Sequence, residues 1–195
     1  MHSFYINLDE RTDRKAEFEY ECTRMNLDVE RYPAIRTFPG LSGCSQSHLN
    51  VLKLARDRNY SEVTIFEDDF EFLITKDQFQ TILMSLPENY DVVMIGYNLI
   101  QSAPYNDLFG KALEIQTTSG YIVHSRFYDT LIARWEEALA LLHEHDRHSY
   151  DSKFMLDQYW KPLQPVSNWY YTLDRVGRQR GSWSNLYERY VDYGV

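Results

Sequence analysis

Cysteine is scarce in this chain of 195 residues, with only Cys22 and Cys44. Two thiols are too few for a disulfide framework or a zinc cluster, so a reducing, cytoplasmic setting is expected. The sequon at Asn59-Tyr60-Ser61 is then expected to be accidental. No apolar run approaches the ~18 residues of a membrane span, and the opening "MHSFYINLDERTDRK" has no leader-like apolar stretch. A basic stripe is missing too. Twenty Lys and Arg stand against 29 Asp and Glu, a net charge of −9. That balance argues against nucleic acid as a partner, because phosphate contacts need clustered positive charge. It also supplies no polybasic anchor for an anionic membrane. Internal repeats, low-complexity segments and long linkers are absent, so the length predicts a single domain over residues 1–195.

Aromatic residues, in contrast, are plentiful: 16 Tyr, 10 Phe and 4 Trp. Such side chains serve cores and stack on sugars or bases equally well. Strand and helix patterns alternate through the first half. "SFYINL" reads as a strand, Thr12 as the N-cap of a helix over about 13–26, and "RYPAI" as a second strand. A helix over about 45–58 carries His48, Val51, Leu52 and Ala55 on one side, and "VTIF" follows as a buried strand. A helix over 76–86, the strand "DVVMIG", an irregular stretch over 98–111 and the strand "TTSGYIVH" come next. Tyr128, Leu131, Trp135, Leu139 and Leu142 mark the clearest helix, and a short one is expected around 152–160. The fold class is therefore α/β with a largely parallel sheet, in which ligands bind outside the carboxyl ends of the strands.

One such end carries the acidic triplet Glu67, Asp68 and Asp69, within "TIFEDDFEF". Three like charges after a buried strand are opposed by repulsion and desolvation unless they reach water or a cation. If the chain stays extended there, Glu67 and Asp69 share a face and Asp68 takes the other. Two oxygen donors so spaced suit Mg2+ or Mn2+. The plain alternative is a run of solvated loop residues.

Four segments in order, "FYINLDERTDRK", "LSGCSQSHLNVLKLA", "TIFEDDFEF" and "TTSGYIVHSRFYDTLI", resemble glycosyltransferase family 25. That family includes lipooligosaccharide galactosyltransferases and collagen hydroxylysine galactosyltransferases. The resemblance implies a GT-A-type, Rossmann-like domain, a UDP-galactose or UDP-glucose donor, Mn2+ or Mg2+, and inversion at the anomeric carbon. It implies that the triplet is the family's Asp-x-Asp-type motif, with Asp69 as metal ligand and Glu67 or Asp68 orienting the donor; Glu67 departs from the strict motif and is the second metal candidate. Asn7, Leu8 and Arg14 fall in the nucleotide-side loop, where an Arg suits a diphosphate. Arg14 could equally form a surface ion pair beside Glu17 and Glu21. Ser47 and His48 are expected to open a helix facing the donor, or His48 packs against the sheet. Cys44 reads as a small buried residue. Gly120 permits close approach of the sugar, or a tight strand. The general base is expected at Asp157, with Asp151 as second candidate.

After "RYPAI" the family's Asp-Gly pair is replaced by Arg36-Thr37, and the match fades beyond residue 165. There Gln179 and Ser182 stand near the expected diphosphate, and Arg178 and Arg180 close over phosphate or offset acidic surface. Trp169, Tyr170, Tyr171 and Trp183 are candidates for a sugar platform, or for a layer over the sheet. The expected partners are a nucleotide sugar and a glycan or hydroxylysine acceptor. Oligomeric state stays open. A catalytically inactive relative that binds sugar or protein is the alternative; a metal-dependent phosphoesterase needs more ligands than the triplet offers.

Overall fold

The computed structural model describes residues 1–37, 40–146, 152–184, 189–192 and 194. Six strands form the central sheet: β1 (His2–Asn7), β2 (Glu30–Pro33), β3 (Glu62–Glu67), β5 (Val92–Pro104), β6 (Phe109–His124) and β7 (Trp169–Thr172), in the order β2-β1-β3-β6-β5-β7. β2, β1 and β3 run parallel, as do β5 and β7, whereas β6 is antiparallel to β3, β5 and β7. The sheet is thus mostly parallel, as the alternating pattern predicts.

Period-two alternation sorts its side chains into two cores. Phe4, Ile6, Val63, Ile65, Val92 and Met94 face α2 (Leu41–Asp57) and α4 (Tyr128–Leu141). Tyr5, Phe66, Val93 and Ile95 face α1 (Thr12–Met25) and α3 (Lys76–Met84). Both faces are covered, which is why these strands read as continuous apolar runs. Among the described residues no helix is long and apolar enough to cross a membrane.

Several local expectations are corrected. Arg11, not Thr12, is the N-cap of α1, and no side chain caps that end. Residues 98–111 are not irregular: β5 and β6 continue as a long hairpin whose tip is 105–108. Register shifts between Met94 and Ser102 break the alternation there, which hides the strand from a pattern reading. α2 begins at Leu41, where Thr37 Oγ1 accepts from the Gly43 N–H at 2.8 Å, so Ser47 and His48 lie inside the helix rather than at its start. Trp169, Tyr170 and Tyr171 are buried in β7, which leaves them in the layered core and not on a platform.

The tail folds back as β8 (Gly177–Gln179), β9 (Ser182–Ser184) and β10 (Arg189–Val191). β8 pairs antiparallel with β4 (Phe70–Phe72), the short strand just past the triplet, and β9 pairs with β10. Phe70 anchors this arrangement. A Cβ on Gly96, Gly120 or Gly177 would stand 2.7, 2.4 or 2.1 Å from its ring. Gly120 is therefore a packing requirement beneath the triplet, and its missing side chain makes room for Phe70 rather than for a ligand. Gly120→Ala is expected to lower stability by about 1–3 kcal/mol through overpacking; an unchanged urea midpoint would refute this account of the glycine.

Candidate functional site

The carboxyl ends of β1, β2 and β3, the start of α2 and the returning tail enclose a cleft of about 470 Å³. Its walls carry Glu67, Asp68 and Asp69 on one side and Arg11, Arg14, Arg36 and Arg180 on others. The chain does not stay extended through the triplet. It turns at Asp68 and Asp69 between β3 and β4, so these two carboxylates converge and Glu67 diverges.

Arg14, from the first turn of α1, meets the converging pair. Its Nη1 lies 2.9 Å from Asp68 Oδ1 and 3.0 Å from Asp69 Oδ2. Asn7 Nδ2 donates to Asp68 Oδ2 at 2.7 Å, and Gln179 Nε2 to Asp69 Oδ2 at 3.1 Å. On its other side Arg14 Nη2 donates to Ser182 Oγ at 2.5 Å and to the Trp183 carbonyl at 3.1 Å. Arg14 is thus neither a surface ion pair with Glu17 and Glu21 nor free to face a ligand with its whole fork. Burial weakens its charge, but Asp69 and Asp68 outweigh this and raise its pKa. Asp69 is buried and keeps one oxygen, Oδ1, without a hydrogen-bond partner. Burial, then Glu67, push its carboxyl up to about 7.

Glu67 is held on another side. Thr118 Oγ1 donates to Glu67 Oε1 at 2.5 Å, and His48 Nε2 lies 3.2 Å from the same oxygen. Burial opposes its charge, yet His48, Thr118 and Arg14 together outweigh it and lower the pKa. His48 Nδ1 lies 2.8 Å from the Tyr121 hydroxyl. Ser47 borders the cleft with its hydroxyl already engaged: it accepts from the Ile35 N–H at 2.8 Å and donates to the Gly43 carbonyl at 2.7 Å. Cys44 is exposed through the cleft, not buried as its sequence context suggests. Enough protein surrounds it that burial, then Glu67 and Asp157, push its thiol well above the usual range.

Leu8 lines the cleft, whereas Asn7 is buried behind it, spent on Asp68 and Arg31. Asp157 lies outside the cleft lining but within the electrostatic reach of Glu67. Thr117 N–H donates to Asp157 Oδ2 at 3.2 Å, and burial raises the Asp157 pKa. Thr117 has φ 86°, a conformation that costs a β-branched residue on the order of 1–3 kcal/mol. Neighbouring residues of β6 thereby hold two different carboxylates. Asp151 lies outside the described residues. Gln179, Ser182 and Arg180 line the cleft, while Arg178 pairs with Glu71 outside it. Arg11, Thr117 and Thr118 were not singled out from the sequence, and Arg36 was noted only as a departure from the family pattern. The "NLDERTDR" run did mark the place of Arg11, but the two threonines carry no signal of their own.

No family model matches the chain. It is 29% identical to a protein named "Glycosyltransferase 25 family member" from Anopheles gambiae, over 36% of this chain and 17% of that protein. The chain therefore spans a small part of the length of this curated relative. Among solved structures, it is similar to a glycosyltransferase involved in glycosylating the major capsid of PBCV-1. That likeness has a TM-score of 0.59 at 10% identity and covers 96% of this chain and 95% of the other, which makes it a likeness of fold. A197 from STIV, with a TM-score of 0.48 at 12% identity over 93% and 95% of the chains, is too distant to add to it.

A prediction follows from Asp69. Its folded pKa of about 7 exceeds the ordinary 3.8, so the folded state holds the extra proton between those values. Stability then falls as pH rises through that window, and the loss is complete above it. Asp69→Asn in EDTA is expected to be more stable than the wild type at pH 8, by on the order of 4 kcal/mol, with the gain vanishing near pH 4. Parallel pH dependence of the two proteins in denaturant titrations would refute it.

Proposed function

We propose that the chain is a glycosyltransferase that moves galactose or glucose from a UDP-sugar to a hydroxyl of a glycan or hydroxylysine acceptor, with inversion. The observation that carries this reading is the cleft itself: an acidic triplet, with Asp68 and Asp69 buried, opposed by four arginines at the carboxyl ends of parallel strands. Its volume of about 470 Å³ lies in the range of small-molecule sites. The partial likeness to a family 25 protein and the fold shared with the PBCV-1 enzyme support the same class.

The residues fit a divalent cation. Asp69 has an unpartnered buried oxygen, and two buried carboxylates share one part-buried guanidinium, an imbalance that a cation relieves. Mn2+ or Mg2+ would be held by Asp69 through its unpartnered Oδ1, with Glu67 turned away to His48 and Thr118, and when bound would neutralise charge on the departing diphosphate. Arg11, Arg36 and Arg180 bind and orient the phosphates, for which planar forked donors are suited. Asp157 takes the proton of the acceptor hydroxyl. The acceptor oxygen bonds to the anomeric carbon as its bond to the phosphate oxygen breaks, and the electron pair leaves with UDP. A carboxylate with a raised pKa suits that proton transfer. Positioning and a preorganised charge pattern supply the acceleration.

A second reading has one observation in its favour: Arg14 already bridges Asp68 and Asp69, as a cation would. On that reading the chain binds a sugar or a partner protein without turnover. Calorimetric titration of UDP, with Mn2+ and then with EDTA, tests the first step. Metal-dependent binding that disappears in Asp69→Asn is the expected result; no UDP binding under either condition would sink the donor-site reading. UDP binding without transfer to any acceptor selects the second reading. Asp157→Asn is expected to abolish transfer and spare UDP binding, and near-normal turnover would move the base elsewhere.

A further inference from the structure

The cleft contains a donor set of another chemical kind. Cys44 and His48 are four residues apart on one face of α2, and Glu67 ends the neighbouring strand β3. One ligand atom from each lies within 4.8 Å of the others. We infer that Cys44, His48 and Glu67 form a site for a thiophilic divalent cation such as Zn2+, with its fourth position open to the cleft. This rests on no part of the nucleotide-sugar reading.

Distances favour it. Tetrahedral Zn2+ with ordinary Zn–N, Zn–O and Zn–S bonds sets its ligand atoms roughly 3.3–3.8 Å apart. His48 Nε2 and Glu67 Oε1 are already 3.2 Å apart, so closure needs about 1 Å of adjustment, within the reach of the Cys44 side chain. The supporting contacts are those that metal ligands require. With Nε2 on the cation, the Nδ1–H of His48 donates to the Tyr121 oxygen 2.8 Å away, which fixes the ring. Thr118 fixes Glu67 in the same manner. Thiolate and imidazole select Zn2+ or Co2+ over Mg2+ and Mn2+, which prefer oxygen alone. Asp157, Asp69 and Asp68 lie within electrostatic reach of Cys44. Two cysteines exclude a cysteine-only zinc cluster, as the composition implies, but a mixed set needs just one. Cys44, His48 and Glu67 all border the cleft, so the open position admits water or an oxygen of a bound molecule.

Co2+ reports the geometry and the sulfur directly. Titration of the full chain is expected to give one equivalent bound with a thiolate-to-cobalt charge-transfer band. The band is expected in Asp69→Asn, to vanish in Cys44→Ser, and to be bleached by Zn2+. Tyr121→Phe should weaken Zn2+ binding about 10–100-fold, as loss of an orienting contact does. No charge-transfer band in the wild type, or a band that survives Cys44→Ser, overturns the inference, whatever UDP does in its own titration. Should Cys44→Ser fail to fold, the wild type still decides. Zn2+ must then protect Cys44 from alkylation, and undiminished labelling counts against the site.

Discussion

One guanidinium holds this cleft together. Arg14 is set between Asp68 and Asp69 at 2.9 and 3.0 Å, and without a counter-charge two buried carboxylates could not follow an apolar strand. The same group also reaches the Ser182 hydroxyl and the Trp183 carbonyl. It therefore ties α1, the β3–β4 turn and β9 to a common point. Chain segments that are 54 and 168 residues apart from Arg14 share a single donor fork. Gln179 extends the tie from β8 to Asp69, and the Arg180 N–H donates to the Asp69 carbonyl at 2.7 Å.

Packing below the triplet makes that convergence possible. Phe70 occupies space vacated by Gly96, Gly120 and Gly177, which come from three different strands. Its ring also contacts Phe66 and Phe72 at 4.9 Å between centroids. The turn carrying Asp68 and Asp69 thus sits on a rigid aromatic floor, and the charges above it are held without backbone freedom. Beside it, Thr117 takes a left-handed conformation and donates to Asp157, while Thr118 secures Glu67. Strain of this kind persists where surrounding structure imposes it, and it concentrates at sites that work.

The electrostatics divide the triplet by role. Asp68 and Asp69 have raised pKa values because burial and like charge outweigh Arg14, whereas at Glu67 burial is outweighed by His48, Thr118 and Arg14 together. Asp69 Oδ1 is left as a buried carboxylate oxygen without a hydrogen-bond partner.

Residue patterns alone determined the α/β class, the buried strands β1, β3 and β5, the helix α4 and the exceptional position of Glu67-Asp68-Asp69. Those features are local: hydrophobic period and charge placement report burial without knowledge of partners. The long β5–β6 hairpin escaped notice because its bulges break the period. The role of Arg14 was equally hidden, since an arginine near acids in its own helix reads as a surface pair until the triplet is brought to it. Gly120 read as room for a sugar or as a tight strand, because nothing in its neighbours names Phe70. Only the tertiary structure decided that Asp68 and Asp69 converge, that Glu67 turns to His48 and Cys44, and that the tail closes the cleft. Each of those depends on contacts between residues far apart in the chain, and sequence spacing carries no information about them.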